Sequence, residues 1–351
     1  MTNSLEKLAE PNDELPATEN AAKAGVTPLY ACPDHPYVSI VVCTLGHRPT
    51  LERCIDSLLA QGCQHSEILL VLNGNSNQAF SHRFRHYPLR LLQEPRRGVC
   101  IARNSAIPKS EGEILVFVDD DIVAHSHWLH ELLQGFANPS VACTVGRVLP
   151  EGLLYSEGPG GEKAYFNEQA LTSRTFGPEK GWYRAILRGT VTGFGCNMAF
   201  RKSFLEKYAL FPEDLGAGSL IGAADENYMF FQVLQHSFCI HYASSAVVTH
   251  FFEGDESQQK NRLQEFRAAT FAFHLKLLIE EKEYRWETLL NMFAGGRRFL
   301  HASIKQGVSL ETLELLSPRE RLYSYLRGMR IFWRAHRQKV LQERRKGTLR
   351  R

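Results

Sequence analysis

Residues 113–121 read EILVFVDDD, an apolar run that ends in three consecutive aspartates. β-Branched and aromatic side chains fit the enclosed surface of a sheet, so the run predicts a buried strand. Adjacent carboxylates repel each other, and burying them is costly unless a cation lies among them. Ligands of open α/β sheets bind at the carboxyl ends of the strands, where oxygen ligands suit Mg²⁺ or Mn²⁺. The alternative interpretation is that an aspartate only caps a helix over residues 122–133.

The segments before this run alternate between strand and helix patterns. The apolar run at 37–44 predicts a central strand that is covered on both faces, and residues 67–72 and 89–92 predict two further strands. Helical spacing of apolar residues predicts helices at 51–59 and 100–106. Strand–helix repetition with short connections predicts an α/β fold with a mostly parallel central sheet flanked by helices.

The composition of the chain changes after Pro150. Residues 158–181 are rich in glycine and polar side chains and predict a long loop. Residues 193–201 and 246–251 predict further ordered segments, the second of them a strand. From residue 261 onwards the pattern predicts helices at 262–281, 286–305 and 318–346. We therefore expect a helical C-terminal region over residues 256–351.

Composition limits the class of protein. The hydrophobic content of 44% is ordinary for a globular chain, and no apolar run reaches the roughly 18–20 residues of a membrane span. Residues 1–36 are polar, lack the pattern of a signal peptide, and predict a flexible leader. The eight cysteines are scattered without a C-x-x-C pair. We expect buried free thiols of a cytoplasmic protein, rather than disulfides or a zinc site.

The net charge of +3 is unevenly distributed. Residues 319–351 contain twelve Lys or Arg and two Glu, a charge of +10, so the remaining 318 residues carry −7. Leucine, methionine and aromatic residues lie among these arginines, as in helices that bind at the surface of a bilayer. One interpretation is attachment to the anionic inner face of a membrane; the other is a helix packed on the body with a solvated basic face.

Six segments, in order, carry a family resemblance: VSIVVCTLGHRPTLERCIDSLL, RRGVCIARNSAI, VFVDDDI, GFGCNMAFRKSFL, LGAGSLIGAADENYMFF and VVTH. They resemble the motif series of family 2 glycosyltransferases, which are enzymes of the GT-A fold that use nucleotide-sugar donors. The resemblance covers roughly residues 37–252. It implies a catalytic domain over 37–255, with a nucleotide-sugar half at 37–150 and an acceptor half at 151–255.

The resemblance also implies roles for individual residues. Asp119, Asp121 and His250 take the positions of a site for Mg²⁺ or Mn²⁺, and Asp119 and Asp120 also lie close to the donor. Asp225 and Glu226 take the position of the base that receives the proton of the acceptor hydroxyl. The family usually has Glu followed by Asp here, so the reversed order leaves open which carboxylate is the base. The other implied donor-binding residues are Thr44, Leu45, Arg48, Asn73, Arg103, Asn104, Gly195 and Asn197.

The expected function is therefore inverting transfer of a hexose from a UDP-, GDP- or dTDP-sugar to a saccharide or lipid-linked acceptor, in the synthesis of a cell-surface glycan or glycolipid. Many family members have an aspartate that reads the base at the end of the second strand, where this chain has Leu72 followed by Asn73. The nucleobase is therefore left open. The alternatives are a non-catalytic nucleotide- or carbohydrate-binding protein on the same fold, or a nucleotidyltransferase. No nucleic-acid partner is expected.

Overall fold

The computed structural model describes residues 36–74, 84, 86–151, 171–187, 193–251, 256–292 and 318–345. The predicted leader, apart from Pro36, and most of the predicted loop at 158–181 lie outside these residues. The strands are β1 Val38–Thr44, β2 Ser66–Asn73, β3 Arg90–Glu94, β4 Ile114–Asp119, β5 Ile122–Ala124, β6 Val141–Glu151, β7 Arg174–Phe176, β8 Asn197–Arg201 and β9 Cys239–Phe251.

The α-helices follow the predicted alternation in the first part of the chain and dominate its last part. They are α1 Leu51–Leu59, α2 Val99–Ala106, α3 Trp128–Leu133, α4 Trp182–Leu187, α5 Lys202–Lys207, α6 Asp225–Gln235, α7 Glu256–Glu280, α8 over 285–292 and α9 Pro318–Arg345. Short 3₁₀ segments lie at Ile107–Lys109, Gln134–Ala137 and Lys282–Tyr284. The predicted α/β fold with a helical C-terminal region is confirmed.

All nine strands belong to one sheet, in the order β3-β2-β1-β4-β8-β6-β9-β5, with β7 paired to β9. The β3-β2-β1-β4 part is parallel, whereas β8 is antiparallel to both β4 and β6. The chain moves outward from β1 to β3 and then returns to β4 on the other side of β1. This reversal of strand order opens a crevice between β1 and β4 at their carboxyl ends.

Alternating side chains of the central strands enter two separate cores. On β4, Ile114, Val116 and Val118 pack with α1 and α3 on one face of the sheet. Leu115 and Phe117 pack on the opposite face with α2, α4 and α6. Because both faces are covered, the strand sequence is apolar at every position rather than at every second one. The alternation also decides to which face each aspartate after the strand is directed.

The segment after the aspartates is not the helix of the alternative interpretation. Residues Ile122–Ala124 form β5, which pairs antiparallel with β9 so that Ile122 lies opposite His250. The helix that follows begins only at Trp128. The aspartates therefore occupy a turn between two strands, and the turn is held to β9 by the amide of Phe251, which donates to the carbonyl of Asp121 at 2.9 Å.

The C-terminal helix α9 packs along α7. A Cβ at Gly328 would lie 2.4 Å from the carbonyl oxygen of Ala268, so the two helices approach closely only because residue 328 is glycine. Phe332 and Ala335 are buried in the same contact. Lys339 of α9 pairs with Glu280 of α7 at 2.8 Å. Among the described residues, no helix is both long enough and apolar enough to cross a bilayer.

The fully buried side chain of Asn197 connects three elements around the second half of the sheet. Its amide group donates to the carbonyls of Arg147 on β6 and Ala246 on β9, each at 3.0 Å. The indole of Trp128 on α3 donates to its side-chain oxygen at 2.9 Å. These three contacts use the polar group of Asn197 inside the fold, so the residue has a structural role, and its donor-binding role stays a prediction.

We predict that Asn197→Ala lowers the free energy of unfolding by about 2 kcal/mol or more, because it leaves one buried donor and two acceptors without their partner. Thr144→Val is the matched control. Its fully buried hydroxyl has no hydrogen-bond partner among the described residues, so its removal should leave stability unchanged or raise it. Chemical denaturation measures both; an Asn197→Ala chain as stable as wild type would contradict the structural role.

Candidate functional site

An open cleft of ≈ 360 Å³ lies at the carboxyl ends of β1, β2 and β4. The loop after β1, the aspartate turn, the start of α2, the glycine-rich segment 216–222 and helix α7 all contribute to it. Its lining residues are Cys43, Thr44, Leu45, His47, Arg48, Pro49, Asn73, Arg97, Gly98, Val99, Asp119, Asp120, Asp121, Ala217, Gly218 and Arg262. The cleft thus coincides with the crevice that the strand order creates.

The strand alternation directs Asp119 and Asp120 to opposite sides. Asp120 turns towards the α1 side, where the hydroxyl of Thr44 donates to its carboxylate at 2.5 Å. Arg48 forms ion pairs with both neighbouring aspartates: its Nε lies 3.1 Å from Asp120 and its Nη1 lies 2.7 Å from Asp121. Burial raises the pKa of Asp120 to about 6, against the opposing effects of Thr44 and Arg48. This carboxylate is therefore held by a hydroxyl and a guanidinium at the end of β1.

Asp121 and His250 meet because β5 pairs with β9. Nε2 of His250 lies 3.1 Å from Oδ1 of Asp121. Burial acts to raise the pKa of Asp121, but the contact with His250 and the charge of Arg48 outweigh it, and the pKa is lowered. The structure thus brings together two of the three predicted metal-site residues.

The third predicted metal-site residue, Asp119, lies close to the same histidine. The carboxylate of Asp119, the thiol of Cys196 and the imidazole of His250 offer ligand atoms that all lie within 4.8 Å of one another. Burial raises the pKa of Asp119, because its charged form is poorly solvated there. Carboxylates beside an imidazole are suitable ligands for a divalent cation, so the residues present fit the ion that the sequence predicts.

Arg103 lies between the aspartate turn and the start of α6. Its side chain is only 3% exposed. Nη1 donates to Asp225 at 2.5 Å, and Nη2 donates to Asp119 at 3.2 Å and to the carbonyl of Gly195 at 3.0 Å. Burial disfavours the charged guanidinium, but the two carboxylates outweigh this and raise the pKa of Arg103. One cation therefore joins the two carboxylate groups that the sequence places 106 residues apart.

The second carboxylate group begins helix α6. Asp225 is the first residue of the helix, and Ala224 before it has a left-handed backbone. A Cβ at Gly216 would lie 3.1 Å from Cγ of Asp225 and 2.8 Å from Sγ of Cys100, and φ of Gly216 is +80°. Only glycine satisfies both conditions, so the glycine-rich segment can lie directly against this carboxylate.

Glu226 differs from Asp225 in its surroundings. It is partly exposed, and the amide group of Asn227 donates to its Oε1 at 3.2 Å. Burial of the carboxyl group, and then the negative charge of Asp225, raise the pKa of Glu226 to about 8. The pair therefore divides into one carboxylate bound to a buried arginine and one whose proton affinity suits exchange near neutral pH.

Two further asparagines that were predicted to bind the donor hold loops. Asn104 makes two hydrogen bonds with the backbone of Phe211, at 2.8 and 2.9 Å, and is not among the cleft-lining residues, so its donor-binding role stays a prediction. Asn73 does line the cleft, but its side chain binds the carbonyl of Arg96 at 2.6 Å and the amide of Gly98 at 2.9 Å. Asn73 therefore fixes the loop that precedes α2.

Several cleft residues were not predicted. Arg97 follows β3, His47 lies in the loop after β1, and Arg262 comes from α7, in the C-terminal region. The basic pair at residues 96–97 could have indicated Arg97 from the sequence. Nothing in the sequence indicates that a helix beginning at residue 256 returns to the carboxyl ends of strands formed by the first 120 residues.

Comparisons with known proteins agree with this architecture. The family model "Glycosyl transferase family 2" matches residues 39–209. Glycosyltransferase AglE of Haloferax volcanii is 26% identical over 121 residues, which are 32% of this chain and 40% of AglE. EpsH of Bacillus subtilis is 22% identical over 283 residues, 77% of this chain and 71% of EpsH. The match to AglE thus spans less than half of that relative.

Among solved structures, Staphylococcus aureus TarS 1–349, in complex with UDP-GlcNAc, is similar with a TM-score of 0.50 and 16% identity. The similarity covers 90% of this chain and 93% of the TarS chain, and it concerns the fold alone. The expected GT-A architecture is confirmed, and residues 39–209 form a domain of glycosyl transferase family 2.

Proposed function

We propose that the chain transfers one sugar from a nucleoside diphosphate sugar to the hydroxyl of a saccharide or lipid-linked acceptor, with inversion at the anomeric carbon. The observation that carries this proposal is the contact of one buried guanidinium, Arg103, with both Asp119 and Asp225. Arg103 thus connects Asp119, on the donor side, to Asp225, one of the two carboxylates that would face the acceptor. A single displacement needs these two groups on either side of the same anomeric carbon.

The donor side of the cleft is suited to a diphosphate. Asp119, Asp121 and His250 would hold Mg²⁺ or Mn²⁺, which as a Lewis acid would stabilise the departing nucleoside diphosphate. Arg48, Arg97 and Arg262 line the same cleft and add positive charge from three different segments of the chain. Guanidinium groups bind phosphate oxygens in a bidentate manner, so these side chains would orient the donor.

Glu226 is the base in this proposal, and Asp225 holds the site together. Asp225 is 6% exposed, and its carboxylate is engaged in the ion pair with Arg103. Glu226 has a pKa of about 8, close to the value at which a general base works best under neutral conditions. The reversed Asp–Glu order leaves open whether Asp225 or Glu226 is the base. The structure supports Glu226, which takes the position of the base in the motif.

We predict metal-dependent transfer with at least one sugar from a panel of UDP-, GDP- and dTDP-sugars, and loss of about 100-fold or more in kcat/KM for Glu226→Gln. The matched control is Glu206→Gln, which removes an exposed carboxylate of α5 that pairs only with Lys202 at 3.7 Å among the contacts of the described residues. Radiometric transfer assays measure the rates, and NMR of the product identifies its anomeric configuration. Retention of configuration would contradict inversion.

The pH dependence distinguishes the two carboxylates. A base must be deprotonated, so kcat/KM of the wild type should rise as the pH increases through about 8. Asp225→Asn removes a negative charge that raises the pKa of Glu226, and the rise should move to lower pH in that variant. If Glu226→Gln keeps the wild-type rate and profile, the base is another group. Absence of turnover with every donor, at any metal concentration, would favour the non-catalytic binding protein.

We also propose that the outer face of α9 binds an anionic bilayer, where a lipid-linked acceptor would be found. One face of this helix packs on α7, so the tail does pack on the body. On the opposite face, Leu322, Leu326, Met329 and Trp333 follow one another at helical spacing and are 40–58% exposed. The exposed arginines Arg330, Arg334 and Arg337 lie among them. Apolar and basic residues on one exposed face fit the boundary between lipid headgroups and acyl chains.

We predict that Arg330→Glu weakens binding to phosphatidylserine vesicles roughly fivefold or more, since each basic residue near an anionic surface contributes about 1 kcal/mol. Trp333→Glu should also weaken it, because it removes buried apolar contact with the bilayer. Gln338→Glu is the matched control: it adds a negative charge on the side of the helix that lines a pocket with Ala335 and Lys339, so it should bind vesicles as the wild type does. Co-sedimentation measures binding, and equal binding by all three variants and the wild type would contradict the proposal.

A further inference from the structure

The thiol of Cys196 lies beside the predicted metal ligands although no sequence motif connects them. Cys196 is 6% exposed and directly precedes the first residue of β8, the strand next to β4 in the sheet. This neighbour relationship brings it to Asp119, the last residue of β4. His250 arrives from β9 on the far side. The three residues come from separate strands, so their proximity is a property of the fold.

The spacing of these three groups is close to that of a chelating site. Their ligand atoms lie within 4.8 Å of one another. In the tetrahedral geometry of zinc sites, two ligands bound at roughly 2.0–2.3 Å lie about 3.3–3.8 Å apart, so side-chain rotations would have to shorten the widest spacing here by about 1 Å. A sulfur, a nitrogen and a carboxylate oxygen are the donor types that zinc prefers, and three protein ligands leave the fourth position for water or substrate.

We propose that Cys196 is a metal ligand together with Asp119 and His250, and that this position binds Zn²⁺ in preference to Mg²⁺. The proposal rests on the proposed function for the presence of a cation in the cleft, and it adds the identity of a ligand and of the preferred metal. A thiolate is a soft ligand that favours Zn²⁺ and Co²⁺, whereas an all-oxygen site suits Mg²⁺ and Mn²⁺. Because the thiol must lose its proton to bind, loading releases a proton.

A preference of this position for Zn²⁺ would affect the proposed transfer reaction. Asp119 belongs both to the predicted donor site and to the thiol-containing set, so the two sets of ligands overlap. Zn²⁺ held by Cys196, Asp119 and His250 would occupy the position that Mg²⁺ or Mn²⁺ takes when the donor is present. We therefore expect the metal that supports the highest turnover and the metal that binds most tightly to be different.

The test is spectroscopic and uses the full chain. Co²⁺ added to the wild type should give a near-ultraviolet thiolate-to-cobalt charge-transfer band, and Cys196→Ser should lose it. Cys63→Ser, at a partly exposed thiol outside the cleft, should keep it. Isothermal titration should show that Cys196→Ser binds Zn²⁺ roughly tenfold or more weakly, because the thiolate ligand is lost. A band that survives in Cys196→Ser, or Co²⁺ binding without a band, would overturn the proposal.

A second measurement needs no variant, in case Cys196→Ser does not fold. X-ray absorption at the zinc edge of the wild-type protein, loaded with one equivalent of Zn²⁺, should show one sulfur at about 2.3 Å together with nitrogen or oxygen ligands. A shell without sulfur would overturn the role of Cys196. Turnover of nucleotide sugars by the wild type is measured separately, so a negative spectrum beside positive turnover rejects this ligand and leaves the proposed function standing.

Discussion

The candidate site depends on a single buried cation. Arg103, which is 3% exposed, contacts Asp119 at the end of β4, Asp225 at the start of α6 and the carbonyl of Gly195. A charge this far from water is tolerated only when it is paired, and removing one partner of such a group typically costs 3–5 kcal/mol. The ion pairs of Arg103 therefore constrain the structure as well as the chemistry. If Asp119 and Asp225 moved apart, the buried guanidinium would lose a partner or become exposed to water.

The sheet explains why the arginine can reach both partners. The alternation along β4 sends Asp119 to the face that carries Leu115, Phe117 and helix α2, and Arg103 lies on that helix. Its guanidinium also lies over the rings of Phe117 and Phe211, at 6.0 and 5.4 Å from their centres. Asp120 is directed to the other face and to Thr44. The unequal surroundings of adjacent aspartates therefore follow from the pleat of a single strand.

Much of the fold was predictable, because the deciding signals are local. The buried strands, the first helices and the place of the aspartates follow from side-chain patterns within about ten residues. The site was less predictable where it depends on contacts between distant segments. The structural hydrogen bonds of Asn104 and Asn197 were not predicted, because a side-chain amide that binds backbone inside the fold looks the same in sequence as one that binds a ligand. The place of Cys196 beside Asp119, and that of Arg262 at the cleft, were not predicted, because only the strand order and the return of α7 bring them there.

The account is tested most directly by a crystal structure of the chain with Mn²⁺ and a nucleoside diphosphate, measured with anomalous scattering at the manganese edge. We expect the manganese peak among Asp119, Asp121 and His250, with the diphosphate in the cleft and Arg103 still in contact with Asp119 and Asp225. A peak beside Asp225 and Glu226, or a nucleotide bound with Arg103 withdrawn from both carboxylates, would contradict the division of the site into a leaving-group side and a base side.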